Sequence, residues 1–296
     1  MAIVKVQQVA KQIKSKRILT GIDFTIESGE CVALIGPNGA GKTTLMELLL
    51  HDKKVSQGTI ELLGHPVQSA KLKQLVGVLP QQNALPKKMK VKELLQFFCS
   101  LYSNPLSTAE IQAILQFDDK QMEQLTEKLS GGQRRLLAFV IALVGRPQLL
   151  LLDEPTAAMD TSTRQRFWEV IGELKAQGMT IIYSSHYIEE VEHTADRILV
   201  LHQGKLIRDT TPHKMRSEEQ TQFFTVPLTY QALVESWVAG ARVLNVAVQR
   251  DNIAFETRQG AWVWQQLSQA GCRFEDIEVT HRTLLNSIFE TTKEEN

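Results

Sequence analysis

The sequence predicts an α/β protein in which a mixed, mostly parallel sheet carries a helical insertion and is followed by a small α+β module. Three observations support this. Short β-branched segments alternate with helical ones through about residue 216. Strand character disappears between about residues 83 and 145. Past residue 216 the pattern changes again, setting residues 217–296 apart from 1–216.

Residues 3–9 and 18–26 alternate apolar with polar side chains, as half-exposed strands do. Residues 31–35 form a buried strand running into a glycine-rich turn, and 42–50 form a helix. Residues 59–63 and 76–79 are further strands. Helices are expected over 91–102, 108–115 and 131–144, the last apolar nearly all round after its first turn and therefore buried. Strands return at 149–152, 180–184 and 198–201. In the C-terminal module, 243–248 and 253–257 read as a strand pair, 261–269 as an amphipathic helix, 274–279 as a strand and 283–291 as a helix.

With 43% hydrophobic and 22% charged residues, the chain can bury a full core without disulfide support. Its 33 basic residues balance 33 acids, so no whole-protein field favours nucleic acid or an anionic membrane. Cys31, Cys99 and Cys272 are scattered and fit no zinc or redox spacing, which suits a reducing cytosol. The N-terminus shows no secretion signal. The longest apolar run, 136–144, is far shorter than the roughly 18 residues that span a bilayer, so any transmembrane path is expected in another chain.

Gly36-Pro37-Asn38-Gly39-Ala40-Gly41-Lys42-Thr43, with Thr44 beside it, lies between a strand and a helix. That is the context a phosphate-cradling P-loop requires. Glycines let backbone N–H groups wrap a phosphate, and the helix adds about half a positive charge at its N-terminus. Lys42 would reach the β- and γ-phosphates, and the Thr43 hydroxyl would ligate Mg2+. A plain glycine turn capping a helix is the bland alternative. Far downstream, four leucines end in Asp153, placed to hold the same metal, and Glu154 follows, suited to accept a proton from attacking water.

Leu129-Ser130-Gly131-Gly132-Gln133 opens the buried helix, with Ser130 as a natural N-cap and two glycines permitting close approach to its N–H groups. Arg134 and Arg135 follow where positive charge is disfavoured by a few tenths of a kcal/mol. Either a nearby anion offsets that cost or both arginines are simply solvated.

Together these residues closely resemble the ATP-binding cassette (ABC) family. The sequence has, in order, a Walker A at 36–43, an LSGGQ signature at 129–133 and a Walker B ending at Asp153. Gln81 in VGVLPQQ matches the family's Q-loop, Asp160 in AAMD its D-loop, and His186 in YSSHYIEE its switch histidine. The resemblance covers about residues 1–215 and implies a P-loop NTPase core. It also implies a head-to-tail dimer, with a homodimer or a paralogue as partner, in which each ATP lies between one subunit's Walker A and the other's signature. Ser130, Gly131, Gly132 and Gln133 then serve the partner's nucleotide. Glu154 is the expected general base, Gln81 monitors Mg2+ and water, and His186 contacts the γ-phosphate. One element departs from the pattern. Ile13 aligns where the family places an adenine-stacking aromatic, which predicts weakened base affinity.

Residues 79–98, 195–207 and 274–292 resemble single-cassette subunits of ABC-2-type drug, antibiotic and peptide exporters, which carry a C-terminal accessory domain. The resemblance implies separate transmembrane permease subunits and a place at the cytoplasmic face of the membrane. An importer ATPase and a soluble ABC protein acting on ribosomes or DNA are the alternatives. Against the latter, the chain has one cassette and no sustained heptads. Trp237, Trp262 and Trp264 mark either an interface or a small core.

Overall fold

The computed structural model describes residues 2–82, 85–218 and 221–281. The backbone divides into two compact units between Pro212 and His213.

The first unit opens with two long strands, β1 (Ala2–Ile13) and β2 (Lys16–Glu27). They pair antiparallel, with Val4 opposite Ile26 and Val6 opposite Phe24. Their alternation turns Val4, Val6, Ile22, Phe24 and Ile26 inward, a register shift after Val6 brings Val9 inward as well, and all are buried. β3 (Cys31–Ile35) is buried at every position and leads through the glycine turn into α1 (Lys42–Leu49). β4 (Gln57–Leu62) and the short β5 (His65–Pro66) complete a four-stranded sheet in the order β2-β1-β4-β5. α2 (Leu72–Leu75) then leads into β6 (Val76–Leu79).

The insertion contains α3 (Val91–Ser100), α4 (Thr108–Leu115), α5 (Asp119–Glu123) and α6 (Gly131–Leu143). Ser107, Asp118 and Ser130 start the last three, each side chain accepting the N–H of the residue three positions on. Leu136, Leu137, Phe139, Val140 and Leu143 of α6 are buried, as its composition requires.

The chain returns to the sheet through β7 (Leu149–Leu152), α7 (Thr161–Ala176), β8 (Thr180–Ser185), α8 (Ile188–Thr194), β9 (Arg197–His202) and β10 (Lys205–Thr210). The six-stranded sheet has the order β10-β9-β3-β8-β7-β6. All neighbours run parallel except the antiparallel edge strand β10. Parallel strands covered on both faces need continuous apolar sequence, and the four leucines of β7 provide it. This arrangement positions the site. β3, β6, β7 and β8 end on the same edge, just before the glycine turn, Gln81, Asp153 and His186 respectively.

α9 (Pro212–Glu218) spans the division between units. The second unit contains β11 (Gln222–Pro227), α10 (Gln231–Val238), β12 (Leu244–Val248), β13 (Asn252–Thr257), α11 (Gly260–Gln269) and β14 (Glu278–His281). Its antiparallel sheet has the order β12-β13-β11-β14. Phe224, Val234, Trp237, Phe255, Val263 and Leu267 form its core, with Trp262 and Trp264 packed against it. The tryptophans therefore serve a small core. The expected strand at 274–279 splits into a 3-10 turn, Phe274–Asp276, and β14, whose pairing with β11 begins at Glu278. The helix expected over 283–291 lies outside the described residues.

Among the described residues, no helix is long and apolar enough to cross a membrane.

Candidate active site

The loop between β3 and α1 packs too tightly for any other residue type at two of its glycines. A Cβ on Gly36 would lie 2.2 Å from the Leu201 carbonyl oxygen, and one on Gly41 would lie 2.6 Å from Leu19 Cδ2. Gly41 also has φ +107°, a conformation that L side chains rarely adopt. Lys42 folds back over this loop, its Nζ donating to the carbonyls of Gly36 at 2.7 Å and Pro37 at 3.3 Å. Only 6% exposed, its ammonium is pushed below the usual lysine range by burial, against the opposing pull of Glu154 and Asp153. Lys42 thus holds a cationic, partly desolvated position facing the carboxylates.

At the end of β7, Asp153 is buried, and burial raises its carboxyl above the ordinary range. The Ser184 hydroxyl donates to Asp153 Oδ1 and works in the opposite direction. The same hydroxyl oxygen accepts the Glu154 N–H at 2.8 Å. Ser184, on the neighbouring β8, therefore fixes the Asp153 side chain and the Glu154 backbone together. Glu154 takes φ +45°, a strained conformation for a non-glycine residue. Its Oε1 comes within 3.4 Å of His186 Nδ1. The His186 ring in turn lies 4.1 Å from that of Tyr187.

Arg135 is not solvated, being 1% exposed. Its guanidinium donates to the carbonyls of Pro80, Gln81, Asp153, Glu154 and Pro155. Burial lowers its pKa to about 10, while Asp153 and Glu154 pull the other way, so it stays charged at neutral pH. Along α6, Arg135 falls among the buried positions whereas Arg134 is half-buried. Sequence position alone could not tell inward from outward here.

The remaining signature residues form a compact cap. Ser130 Oγ accepts the Gln133 N–H at 3.1 Å, and Gln133 Oε1 accepts the Ser130 N–H at 2.9 Å. The glycines admit this chain's own D-loop. A Cβ on Gly132 would stand 3.2 Å from Asp160 Oδ2, and one on Gly131 would stand 3.3 Å from the Ala158 carbonyl. Asp160 caps α7, accepting the Thr163 N–H at 2.9 Å.

An open cavity of about 540 Å³ is lined by Asn38, Gly39, Gly41, Lys42, Thr43, Thr44, Gln81 and Glu154, with Lys16, Arg17, Ile18, Gln203 and Gly204 at its other side. It gathers the glycine loop, Gln81 and Glu154 in one place. Pro37 and Ala40 belong to the same loop, buried behind it. Ile13 does not line the cavity; it stands at the end of β1, 40% exposed, opposite Lys16. Ser130, Gly131, Gly132, Gln133 and Asp160 do not line it either. The sequence reading missed Ser184, Lys16, Arg17 and Gln203. Ser184 had a signal in the serine pair of YSSH, on the strand next to Asp153; the other three had none beyond nearness to a turn.

A model of the family described as "ABC transporter" matches residues 19–157. The chain is 36% identical over 225 residues to the Nod factor export ATP-binding protein I of Burkholderia lata, covering 74% of each. It is 38% identical over 219 residues to the protein of that name from Rhizobium meliloti, covering 71% of this chain and 65% of the relative. Among solved structures, it is similar to a dimeric ATP-binding cassette in a post-hydrolysis state with ADP and Pi. The TM-score is 0.64 at 23% identity, over 71% of this chain and 98% of that one. It is similar too to cbiO1 of Clostridium perfringens, part of the transporter complex cbiONQ. There the TM-score is 0.64 at 27% identity, over 73% of this chain and 91% of that one.

Proposed function

The chain belongs to the ABC transporter ATPase family, and we propose that it is the motor subunit of an exporter, working as half of a head-to-tail dimer clamped around ATP. The observation that carries this reading is the separation of two phosphate-ready helix ends. Lys42, at the start of α1, shares a cavity with Gln81 and Glu154, whereas Ser130, at the start of α6, does not line it. A helix end with a glycine pair and no place in its own cavity fits a nucleotide held by another subunit.

In this reading the attacking water gives its proton to Glu154 as its oxygen bonds to the γ-phosphorus, and the bond to the bridging oxygen breaks to leave ADP and phosphate. His186 keeps the carboxylate aimed, and Lys42 meets the charge on the phosphates. The oxygen donors of Thr43, Gln81 and Asp153 suit Mg2+, a hard cation, and Asp153 is already oriented for it by Ser184. Mg2+, when bound, would neutralise phosphate charge.

The relatives named for export favour outward movement, and the resemblance of residues 79–98, 195–207 and 274–292 favours a drug, antibiotic, peptide or lipid-like cargo carried through separate permease subunits at the cytoplasmic membrane face. An importer role is the less favoured reading.

Two measurements test the proposal. With ATP and Mg2+, Glu154→Gln should elute as a dimer and Lys42→Ala as a monomer; a Glu154→Gln chain that stays monomeric at saturating ATP would sink the clamp. Isolation of the full chain from membranes should bring multi-span permease chains with it, and their consistent absence would remove the exporter role.

A further inference from the structure

Arg135 has a role that neither the signature nor the carboxylate explains. It sits in the second turn of α6, the helix whose first turn carries Ser130 and Gly132. The five carbonyls named above come from the two segments that hold the hydrolytic residues: Pro80 and Gln81 beyond β6, and Asp153, Glu154 and Pro155 beyond β7. Within them the donor–acceptor distances include 2.6 Å to the Asp153 carbonyl and 3.0 Å to that of Glu154. A planar guanidinium with five N–H donors can satisfy all five carbonyls from the two loops at once, whereas a lysine has only three donors and an apolar side chain none.

Without its N–H donors these carbonyls would be stranded in the interior, so the guanidinium stabilises the region. It also adds a fixed distance. Glu154 has a strained backbone, and its carbonyl is held by Arg135 while its N–H is held by Ser184. Any shift of α6 along or across its axis therefore pulls directly on the peptide groups that aim Glu154 and Gln81.

We propose that Arg135 is a positioning residue that couples the signature end of α6 to Gln81 and Glu154, so that a partner's nucleotide seated at Ser130 sets the geometry of this chain's own hydrolytic site. The inference rests on the clamped-dimer reading given above. It makes each subunit sense the nucleotide it does not itself cradle, which links the two sites of the dimer through one side chain in each.

The test uses the full chain and four variants: Ser130→Ala, Arg135→Met, Arg135→Lys and the double variant Ser130→Ala/Arg135→Met. Assayed well below its own melting temperature, Arg135→Met should lower kcat by about tenfold or more, with fluorescent-nucleotide affinity within about twofold of the parent. Arg135→Lys, which keeps the charge but loses the fork, should share the kcat loss, and it serves alone if the methionine variant does not fold. If Ser130 and Arg135 act in one path, the double variant should be no slower than the slower single variant within about twofold. Fold-losses that multiply, or a kcat left intact by both Arg135 variants, overturn the inference while leaving the clamp standing. So does a kcat that falls only in step with melting temperature and nucleotide affinity. If Ser130→Ala itself leaves kcat untouched, the clamp reading falls, and the coupling with it.

Discussion

Glu154 Oε1 and His186 Nδ1 lie 3.4 Å apart, although the two residues leave different strands of the sheet. The pairing arises because β7 and β8 are parallel neighbours in register, with Leu152 opposite Tyr183. Both chains then emerge on one edge with their next residues side by side. Glu154 is the more enclosed partner, its side chain 16% exposed against 40% for His186.

That relationship predicts a shared loss. His186→Ala should cut kcat by about 10²–10⁴-fold, the range typical of a positioned acid–base group. Glu154→Asp, which shortens the arm reaching His186, should fall within the same range. The double variant, followed by phosphate release, should be little slower than the slower single. A full multiplication of the two losses would show that they act separately.

Ser184 makes a second prediction. Its fully buried hydroxyl serves Asp153 and Glu154 at once, so Ser184→Ala strands a buried carboxylate oxygen and a peptide N–H. Loss of stability of about 1–3 kcal/mol is expected, measured by urea unfolding. The Mg2+ concentration for half-maximal turnover should rise several-fold as Asp153 loses its orientation. An unchanged Mg2+ dependence would remove Asp153 from the metal site.

Ile13 lies outside the cavity lining, which includes Lys16, Arg17 and Ile18. Without a stacked aromatic, the base should be held loosely and ATP poorly distinguished from GTP. Ile13→Tyr should improve nucleotide affinity by a factor corresponding to about 1–3 kcal/mol of stacking, read by fluorescence competition with both nucleotides. No change in either affinity or preference would place the base elsewhere in the cavity.

Asp160 gives a pH signature. The Thr163 N–H, with the Ser162 and Thr163 hydroxyls, holds its carboxyl down at about 2 against an ordinary value of 3.8. A depressed acid favours the folded state in its charged form. Its stabilising contribution is therefore complete above about pH 4 and is lost as pH falls through the folded value near 2. Asp160→Asn should flatten the fall in stability across that interval relative to the parent, in urea titrations at stepped pH. Parallel curves for the two proteins would contradict it.

Much of the architecture was legible before any coordinates because it rests on neighbours along the chain. Four consecutive leucines demanded a strand covered on both faces, and Leu149–Leu152 is that strand. Ser130 marked a helix start by local capping. The glycine spacing before Lys42 defined a phosphate loop because glycine is the residue that such backbone curvature and close approach require. The strand at 274–279 was misjudged because its apolar pattern does not show where a partner strand will pair, and β11 accepts only its last part.

What depended on the tertiary structure involves residues far apart in sequence. Arg135 looked like an exposed or anion-facing charge until α6 brought it beside carbonyls up to 55 positions away. Ser184 became a bridge because β8 lies next to β7. Gly132 proved to admit this chain's own Asp160 as well as leaving a helix end open. Capping, periodicity and turn chemistry act over a few residues and leave a mark in the sequence. A buried hydrogen bond between distant segments depends on sheet order and register, and these exist only once the chain has folded.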